Sequence, residues 1–160
     1  MKNIISIDLG SNSFRVLSYD CQNNIGLEDF ETSVGTADGL EQSGKISNEA
    51  VERIENAINL SIKKLDYDSK KAIAKTTQAM RKASNSSEVI KYIKEKTGVS
   101  FEIIEADEEA RLTLLAIEYA LKRENLNNKR FILVDIGGGS TELIIKNQDI
   151  QFILKEHPGN

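Results

Sequence analysis

The sequence contains very little cysteine and histidine. Among 160 residues, Cys21 is the only cysteine and His157 the only histidine. A single cysteine excludes an internal disulfide and a cysteine-based zinc site, which fits a reducing compartment, and a cytoplasmic location is expected. His157 lies near the end of the sequence and is interpreted as incidental rather than catalytic.

Long apolar runs and an excess of positive charge are also missing. No run approaches the roughly 20 apolar residues of a membrane-spanning helix, and Met1 and Lys2 lead into a strand pattern rather than a signal peptide. The formal net charge of −4 argues against electrostatic binding of nucleic acid. We therefore expect neither membrane nor nucleic-acid partners, although the 21 lysines and arginines leave room for a local basic cleft.

One stretch combines acids, glycines and hydroxyls between two apolar runs. It reads Val134, Asp135, Ile136, Gly137, Gly138, Gly139, Ser140, Thr141, Glu142 and Leu143. The pattern predicts a strand, a tight turn and a strand. Glycines let an anion approach backbone N–H groups, and flanking carboxylates make sense there only with a metal or water between. Taken alone, a ligand-free glycine hairpin fits this stretch equally well.

The N-terminus repeats this pattern. In Ile7-Asp8-Leu9-Gly10-Ser11-Asn12-Ser13, the Asp, Gly and Ser coincide with matching positions of residues 134–140, and apolar residues flank both stretches. An internal repeat indicates two similar half-structures. Each half would offer a phosphate-binding hairpin to a shared cleft.

The rest of the sequence alternates strands with helices and predicts an α/β fold. Predicted strands cover residues 3–8, 14–19, 27–34, 71–76, 99–104, 131–135, 142–146 and 151–154. Predicted helices run from a Ser47 cap to about residue 65, from an Asn85 cap to Gly98, and over 108–123 with Asp107 as cap. Residues 35–44 fit either a loop over the cleft or a solvated connector. Polar residues 125–128 predict a boundary between a first lobe, 1–125, and an incomplete second lobe, 126–160.

Two charged residues follow predicted strands, at the end of the sheet where α/β proteins bind ligands. Glu109 could act as a general base on water, or could complement the helix dipole together with Asp107 and Glu108. Arg81 could bind a phosphate oxygen, or could be a solvated arginine. In both cases the residues alone favour the second interpretation. Arg15 alternates with apolar neighbours and is expected to point away from them.

These residues together resemble the exopolyphosphatase/guanosine pentaphosphate phosphatase (Ppx/GppA) family, part of the actin, sugar-kinase and heat-shock chaperone superfamily. The matching runs are Ile7-Asp8-Leu9-Gly10-Ser11-Asn12-Ser13-Phe14-Arg15, Arg81 with Ala83 and Asn85, Glu108-Glu109-Ala110-Arg111, and Asp135-Ile136-Gly137-Gly138-Gly139-Ser140-Thr141-Glu142. The resemblance implies a ribonuclease-H-like lobe, a β-meander followed by alternating helices and strands, and then the opening β-meander of a second, similar lobe.

The resemblance also implies roles for individual residues. Glu109 would deprotonate the water that attacks a terminal phosphorus. The carboxylates that bind Mg²⁺ or another divalent cation would be Asp8, Asp135 and Glu142. The residues that bind substrate phosphate would be Ser11, Asn12, Ser13, Arg81, Gly137, Gly138, Gly139, Ser140 and Thr141. For Glu109 and Arg81 this favours the functional interpretation over the structural one.

The expected activity is release of terminal phosphate from inorganic polyphosphate or guanosine pentaphosphate by a homodimer. The alternatives are an ATP-dependent phosphotransferase of the same superfamily and a non-catalytic module that binds phosphate or pairs through its second meander. This chain departs from the family at Glu105 and Ala106, where Ser-Gly is usual. Family members are also longer, and the 160-residue chain alone is expected to have little or no activity.

Overall fold

The computed structural model describes residues 3–126, 130–137, 141–147 and 150–156. Contacts divide the chain into two compact units, Met1–Ile103 and Ile104–Asn160. The last long helix therefore groups by contact with the second meander. The predicted lobe boundary near residue 125 stays a prediction, because a division by contact is not a test of where the duplicated lobes join.

The first unit is built on a five-stranded sheet. Its strands are β1 (Asn3–Leu9), β2 (Ser13–Asp20), β3 (Ile25–Ser33), β4 (Ile73–Thr76) and β5 (Phe101–Ile103). The strand order is β3-β2-β1-β4-β5, with an antiparallel β1–β2–β3 meander and with β4 and β5 parallel to β1. This is the predicted meander followed by alternating helices and strands.

Among the described residues, four α-helices connect these strands. They are α1 (Leu40–Ser43), α2 (Asn48–Leu65), α3 (Gln78–Lys82) and α4 (Ser86–Thr97). The predicted Ser47 cap is confirmed, since its hydroxyl accepts a hydrogen bond from the N–H of Ala50 at 3.2 Å. The short helices α1 and α3 were not predicted.

The predicted position of Asn85 as the N-cap of α4 is confirmed, but the prediction of a capping box is wrong. The helix begins after Asn85, but the Asn85 side chain makes no capping hydrogen bond. Instead its amide accepts from the N–H of Ile46 and donates to the carbonyl of Ile46, both at 2.9 Å. These two hydrogen bonds connect the start of α4 to the loop before α2. Because the Asn85 side chain bonds this distant residue, it does not cap its own helix.

One face of the sheet forms the core of the first unit. Phe14 and Val16 of β2 and Ile7 of β1 are fully buried in one cluster with Ile54 and Ile58 of α2. Burying each such side chain contributes about 1.5–3 kcal/mol. The alternation of strand side chains places Arg15 on the other face, where it is exposed and bonded to Glu31, and this confirms its predicted orientation.

The second unit contains α5 (Ala106–Arg123), β6 (Arg130–Ile136), β7 (Thr141–Asn147) and β8 (Ile150–Glu156). Its sheet is antiparallel in the order β6-β7-β8. Its small core consists of Ala110 and Leu114 from α5 with Ile144, against which Phe131 and Leu133 pack. No helix among the described residues is long and apolar enough to cross a membrane.

The predicted Asp107 cap of α5 is wrong. The helix begins one residue before Asp107, with Glu105 in extended backbone as the N-cap and no side-chain capping bond. The carbonyl of Glu105 accepts the N–H of Glu109 at 3.0 Å, which makes the first helical hydrogen bond. Asp107 therefore lies within the first turn, where its charge complements the helix dipole.

Candidate functional site

The first predicted phosphate loop, residues 11–13, joins β1 to β2. The N–H of Gly10 donates to the carbonyl of Ser13 at 2.9 Å and closes the turn. Asn12 is exposed, while Ser11 and Ser13 are half-buried. The loop therefore lies at the carboxyl end of β1 and carries two hydroxyls and an amide, and its role in binding phosphate stays a prediction.

Residues 34–38 form a segment that packs behind this loop. The N–H groups of Val34 and Gly35 both donate to the carbonyl of Asn12, at 2.8 and 2.9 Å, and the N–H of Ala37 donates to the carbonyl of Ser11 at 2.9 Å. Val34 is almost fully buried. The alternative of a solvated connector is therefore wrong for the start of the 35–44 stretch.

The hydrogen bonds of the 34–38 segment fix the direction of the loop peptides. In a trans peptide group the C=O and the N–H point in opposite directions. Since the carbonyls of Ser11 and Asn12 point toward the 34–38 segment, the N–H groups of Asn12 and Ser13 point away from it. Two backbone donors thus face the side opposite the segment, an arrangement that suits an anion.

Arg81 lies at the same end of the first sheet. It is half-buried in α3, directly after β4, and β4 runs parallel to β1 as its neighbour. The hydroxyl of Thr76, the last residue of β4, donates to the carbonyl of Leu9 at 2.8 Å, which ties the ends of the two strands together. The structure therefore brings Arg81 and the 11–13 loop to one end of the sheet, as predicted.

A row of alternating charges crosses the exposed face of the first sheet. The strand register aligns Glu31, Arg15, Asp8, Lys75 and Glu102, one residue from each of the five strands. Arg15 bonds Glu31 at 2.9 Å and Lys75 bonds Glu102 at 2.5 Å. Asp8 therefore lies between Arg15 and Lys75, and each of these cations is bonded to a glutamate on its other side. Sequence reasoning missed this row because only the strand register reveals it.

Glu109 belongs to the second unit. It is half-buried in the first turn of α5, whereas Asp107 is exposed. Glu108 is held by Arg111, which donates two hydrogen bonds to its carboxylate at 2.6 and 2.8 Å. The hydrogen bonds that Arg111 donates to this carboxylate raise the pKa of Arg111. The three consecutive acids therefore differ in their surroundings, and the predicted base is not the one that Arg111 neutralises.

The second predicted phosphate turn is described in part. Asp135 is half-buried near the end of β6, and the register places it directly opposite Glu142 on β7. Gly137 is exposed and Thr141 is half-buried at the start of β7. The predictions on Gly138, Gly139 and Ser140 lie outside the described residues.

Asp135 and Glu142 occupy facing register positions on β6 and β7, and carboxylates are ligands that divalent cations prefer. Like charges directly opposite each other in an antiparallel pair destabilise it, and a shared cation removes that repulsion. Mg²⁺ is commonly held by one or two carboxylates and completes its shell with waters and substrate phosphate oxygens. Among the described residues, no group of three or more His, Cys, Asp or Glu could hold a metal ion. The chemistry of Asp135 and Glu142 suits a site that needs phosphate oxygens as well.

The comparisons with known proteins identify the family. A model of the Ppx/GppA phosphatase family matches residues 27–156. An exopolyphosphatase from Cytophaga hutchinsonii is 26% identical with a TM-score of 0.82, and the match covers 99% of this chain and 51% of that one. An exopolyphosphatase-like protein is 25% identical with the same TM-score, covering 98% and 51%.

The fold extends to a more distant structure. The Ppx/GppA phosphatase of Aquifex aeolicus is 22% identical with a TM-score of 0.76, and the match covers 99% of this chain and 53% of that one. This chain thus spans about half the length of the structures it matches. Its fold is the mixed α/β, actin-like fold of those proteins, which confirms the predicted fold class. The chain belongs to the Ppx/GppA phosphatase family.

Proposed function

We propose that this protein hydrolyses terminal phosphoanhydride bonds and releases phosphate from inorganic polyphosphate. The observation that carries the proposal is the family match over residues 27–156, which includes Arg81, Glu109, Asp135 and Glu142. The likeness to an exopolyphosphatase favours inorganic polyphosphate as the substrate. Guanosine pentaphosphate ends in the same kind of bond and is the alternative substrate.

In the proposed reaction, the carboxylate of Glu109 accepts a proton from water while the water oxygen attacks the terminal phosphorus. The bond from that phosphorus to its bridging oxygen breaks, and the electron pair leaves with the shortened chain. The N–H groups of Asn12 and Ser13 and the guanidinium of Arg81 hold phosphate oxygens and stabilise their charge. A divalent cation, when bound by Asp135 and Glu142, supplies further neutralisation of phosphate charge.

The test separates binding from turnover. Binding of tripolyphosphate with Mg²⁺ is measured by calorimetry, and phosphate release is measured with protein in excess, because turnover by this chain alone is expected to be low. Glu109→Gln keeps the shape of the side chain and should retain binding, while release falls by about 10²–10⁴-fold. Glu108→Gln is the matched control, since its carboxylate is already paired with Arg111. Unchanged release in Glu109→Gln would refute the assignment.

The second unit favours an additional role as an assembly surface. Among the described residues, strand β6 lies at an edge of its sheet, and on one face of this strand Ile132, Val134 and Ile136 are 67%, 54% and 77% exposed. An unpaired apolar edge strand tends to pair with another strand. We propose that two copies of the chain pair along β6. Sedimentation should show a dimer that Val134→Lys converts to a monomer, and a wild-type monomer at all concentrations would refute the pairing.

A further inference from the structure

Arg53 on α2 binds the 34–38 segment at three points. Its Nε donates to the carbonyl of Val34 at 2.6 Å. Its Nη2 donates to the carbonyl of Gly35 at 3.1 Å and to the carboxylate of Asp38 at 2.8 Å. The guanidinium fork therefore matches two backbone carbonyls and one side chain of the same short turn, a geometry that lysine does not reproduce.

These bonds continue through the backbone to the 11–13 loop. The peptide group between Val34 and Gly35 accepts from Arg53 at its carbonyl and donates from its N–H to the carbonyl of Asn12. That carbonyl belongs to the peptide group whose N–H is that of Ser13. Arg53 is therefore linked to the N–H of Ser13 through two peptide groups in series. Hydrogen bonds in such a chain polarise one another, and a cation at one end makes the last N–H a stronger donor.

The 34–38 segment needs such an anchor. Gly35 has a φ of +55°, which glycine adopts without strain, but glycine loses more conformational freedom on folding than any other residue. The hydroxyl of Thr36 is fully buried and has no hydrogen-bond partner among the described residues, which also disfavours this arrangement. The three bonds from Arg53 offset these costs and hold the segment against the loop.

We infer that Arg53 is a positioning residue for the phosphate site. It holds the 34–38 segment so that the N–H groups of Asn12 and Ser13 face the anion, and it strengthens the Ser13 donor through the two peptide groups. The inference rests on the proposed function, because the anion is the terminal phosphate of the proposed substrate. Nothing in the sequence pattern of α2 distinguishes Arg53 from a solvated helix residue.

The experiment compares the whole chain with Arg53→Gln, Arg53→Lys and Lys64→Gln. Lys64 is a matched control, because it is a cation on the same helix that donates to a backbone carbonyl, that of Asp29, at 3.0 Å. Two quantities are measured. One is amide hydrogen exchange at Val34, Gly35 and Ala37, and the other is the Kd for tripolyphosphate with Mg²⁺.

Arg53→Gln should speed exchange at these three amides about tenfold or more and weaken tripolyphosphate binding by about tenfold. Exchange in the core of α2, at Ile54 and Ile58, should stay slow, which shows that the unit is folded. Arg53→Lys should recover part of the affinity, and Lys64→Gln should match the wild type in both measurements.

Three results would overturn the inference, and each differs from the others. Unchanged exchange in Arg53→Gln would show that the guanidinium does not hold the segment. Faster exchange with unchanged affinity would show that the segment does not matter for the anion. Absence of tripolyphosphate binding by the wild type would refute the proposed function itself, and this inference with it.

Discussion

Gly35→Ala gives a quantitative test of how the 34–38 segment is built. A Cβ placed on Gly35 would lie 2.2 Å from a carboxylate oxygen of Asp38, so that side chain must move. Moving it breaks the ion pair between Asp38 and Arg53, in which the two side chains are 69% and 41% exposed. The substitution therefore adds a collision to the cost of a positive φ.

The expected magnitude follows from these two contributions. An alanine in the left-handed region costs about 1–2 kcal/mol. Replacing glycine also restricts the unfolded chain, which offsets about 0.4–1 kcal/mol of that cost. An exposed ion pair adds at most about 1 kcal/mol. Gly35→Ala should therefore destabilise the first unit by about 1–2 kcal/mol.

Gly39→Ala provides the control for backbone strain. Gly39 also has a positive φ, +72°, but a Cβ there would meet nothing within 4 Å. Its cost should be about 1 kcal/mol, from strain alone. Native-state hydrogen exchange of α2 core amides measures the loss of unfolding free energy in each variant. The method works even if the two units unfold separately.

A double-mutant cycle decides between the two contributions. In an Asp38→Ala background the collision is gone, so Gly35→Ala should cost no more than Gly39→Ala. If Gly35→Ala costs the same in both backgrounds, the carboxylate is not where the structure places it. The account of Arg53 and Asp38 as one anchor would then fail.

Two further predictions concern acid residues. Hydrogen bonds from the Asn23 side chain and from the N–H groups of Gln22 and Asn23 lower the pKa of Asp20 in the folded protein. The contribution of Asp20 to folding stability is therefore complete above the ordinary pKa of 3.8 and is lost as the pH falls through the lower pKa of the folded state. Asn23→Ala should reduce that loss in urea titrations below pH 4, and an unchanged acid dependence would contradict it. Asp135→Asn should stabilise the metal-free second unit by about 0.2–1 kcal/mol. It should also abolish the stabilisation that Mg²⁺ together with tripolyphosphate gives in thermal melts, and stabilisation by that pair as large as in the wild type would contradict the proposed cation site.

The features that the sequence predicted well depend on neighbours in the chain. The Ser47 cap needs only the first turn of its own helix, and the strands of both meanders follow from alternation within each run. The repeat of Asp, Gly and Ser located the ends of β1 and β6 for the same reason. Local chemistry was enough to place these elements to within a few residues.

The features that the sequence did not predict depend on distant partners. Asn85 has the right spacing for a capping box, but Ile46 takes both ends of its amide. Arg53 has no local signal, because its three acceptors lie in a segment that precedes α2 by a loop and a short helix. The charge row through Asp8 exists only in the register of five strands. Sequence spacing along one strand or helix contains none of this information.

The charge row bears on how an acidic protein could hold a polyanion. Arg15 and Lys75 are the cations beside Asp8, but each is already bonded to a glutamate, so neither adds a free positive charge to that end of the sheet. In the proposed site, the attraction comes from groups aimed at the anion rather than from net charge. We assign this role to Arg81 and to the backbone N–H groups of the 11–13 loop, which the guanidinium of Arg53 would strengthen without touching the ligand. A preorganised backbone donor loses little to salt screening, whereas exposed lysines lose much. This explains how a net charge of −4 is compatible with the proposed substrate.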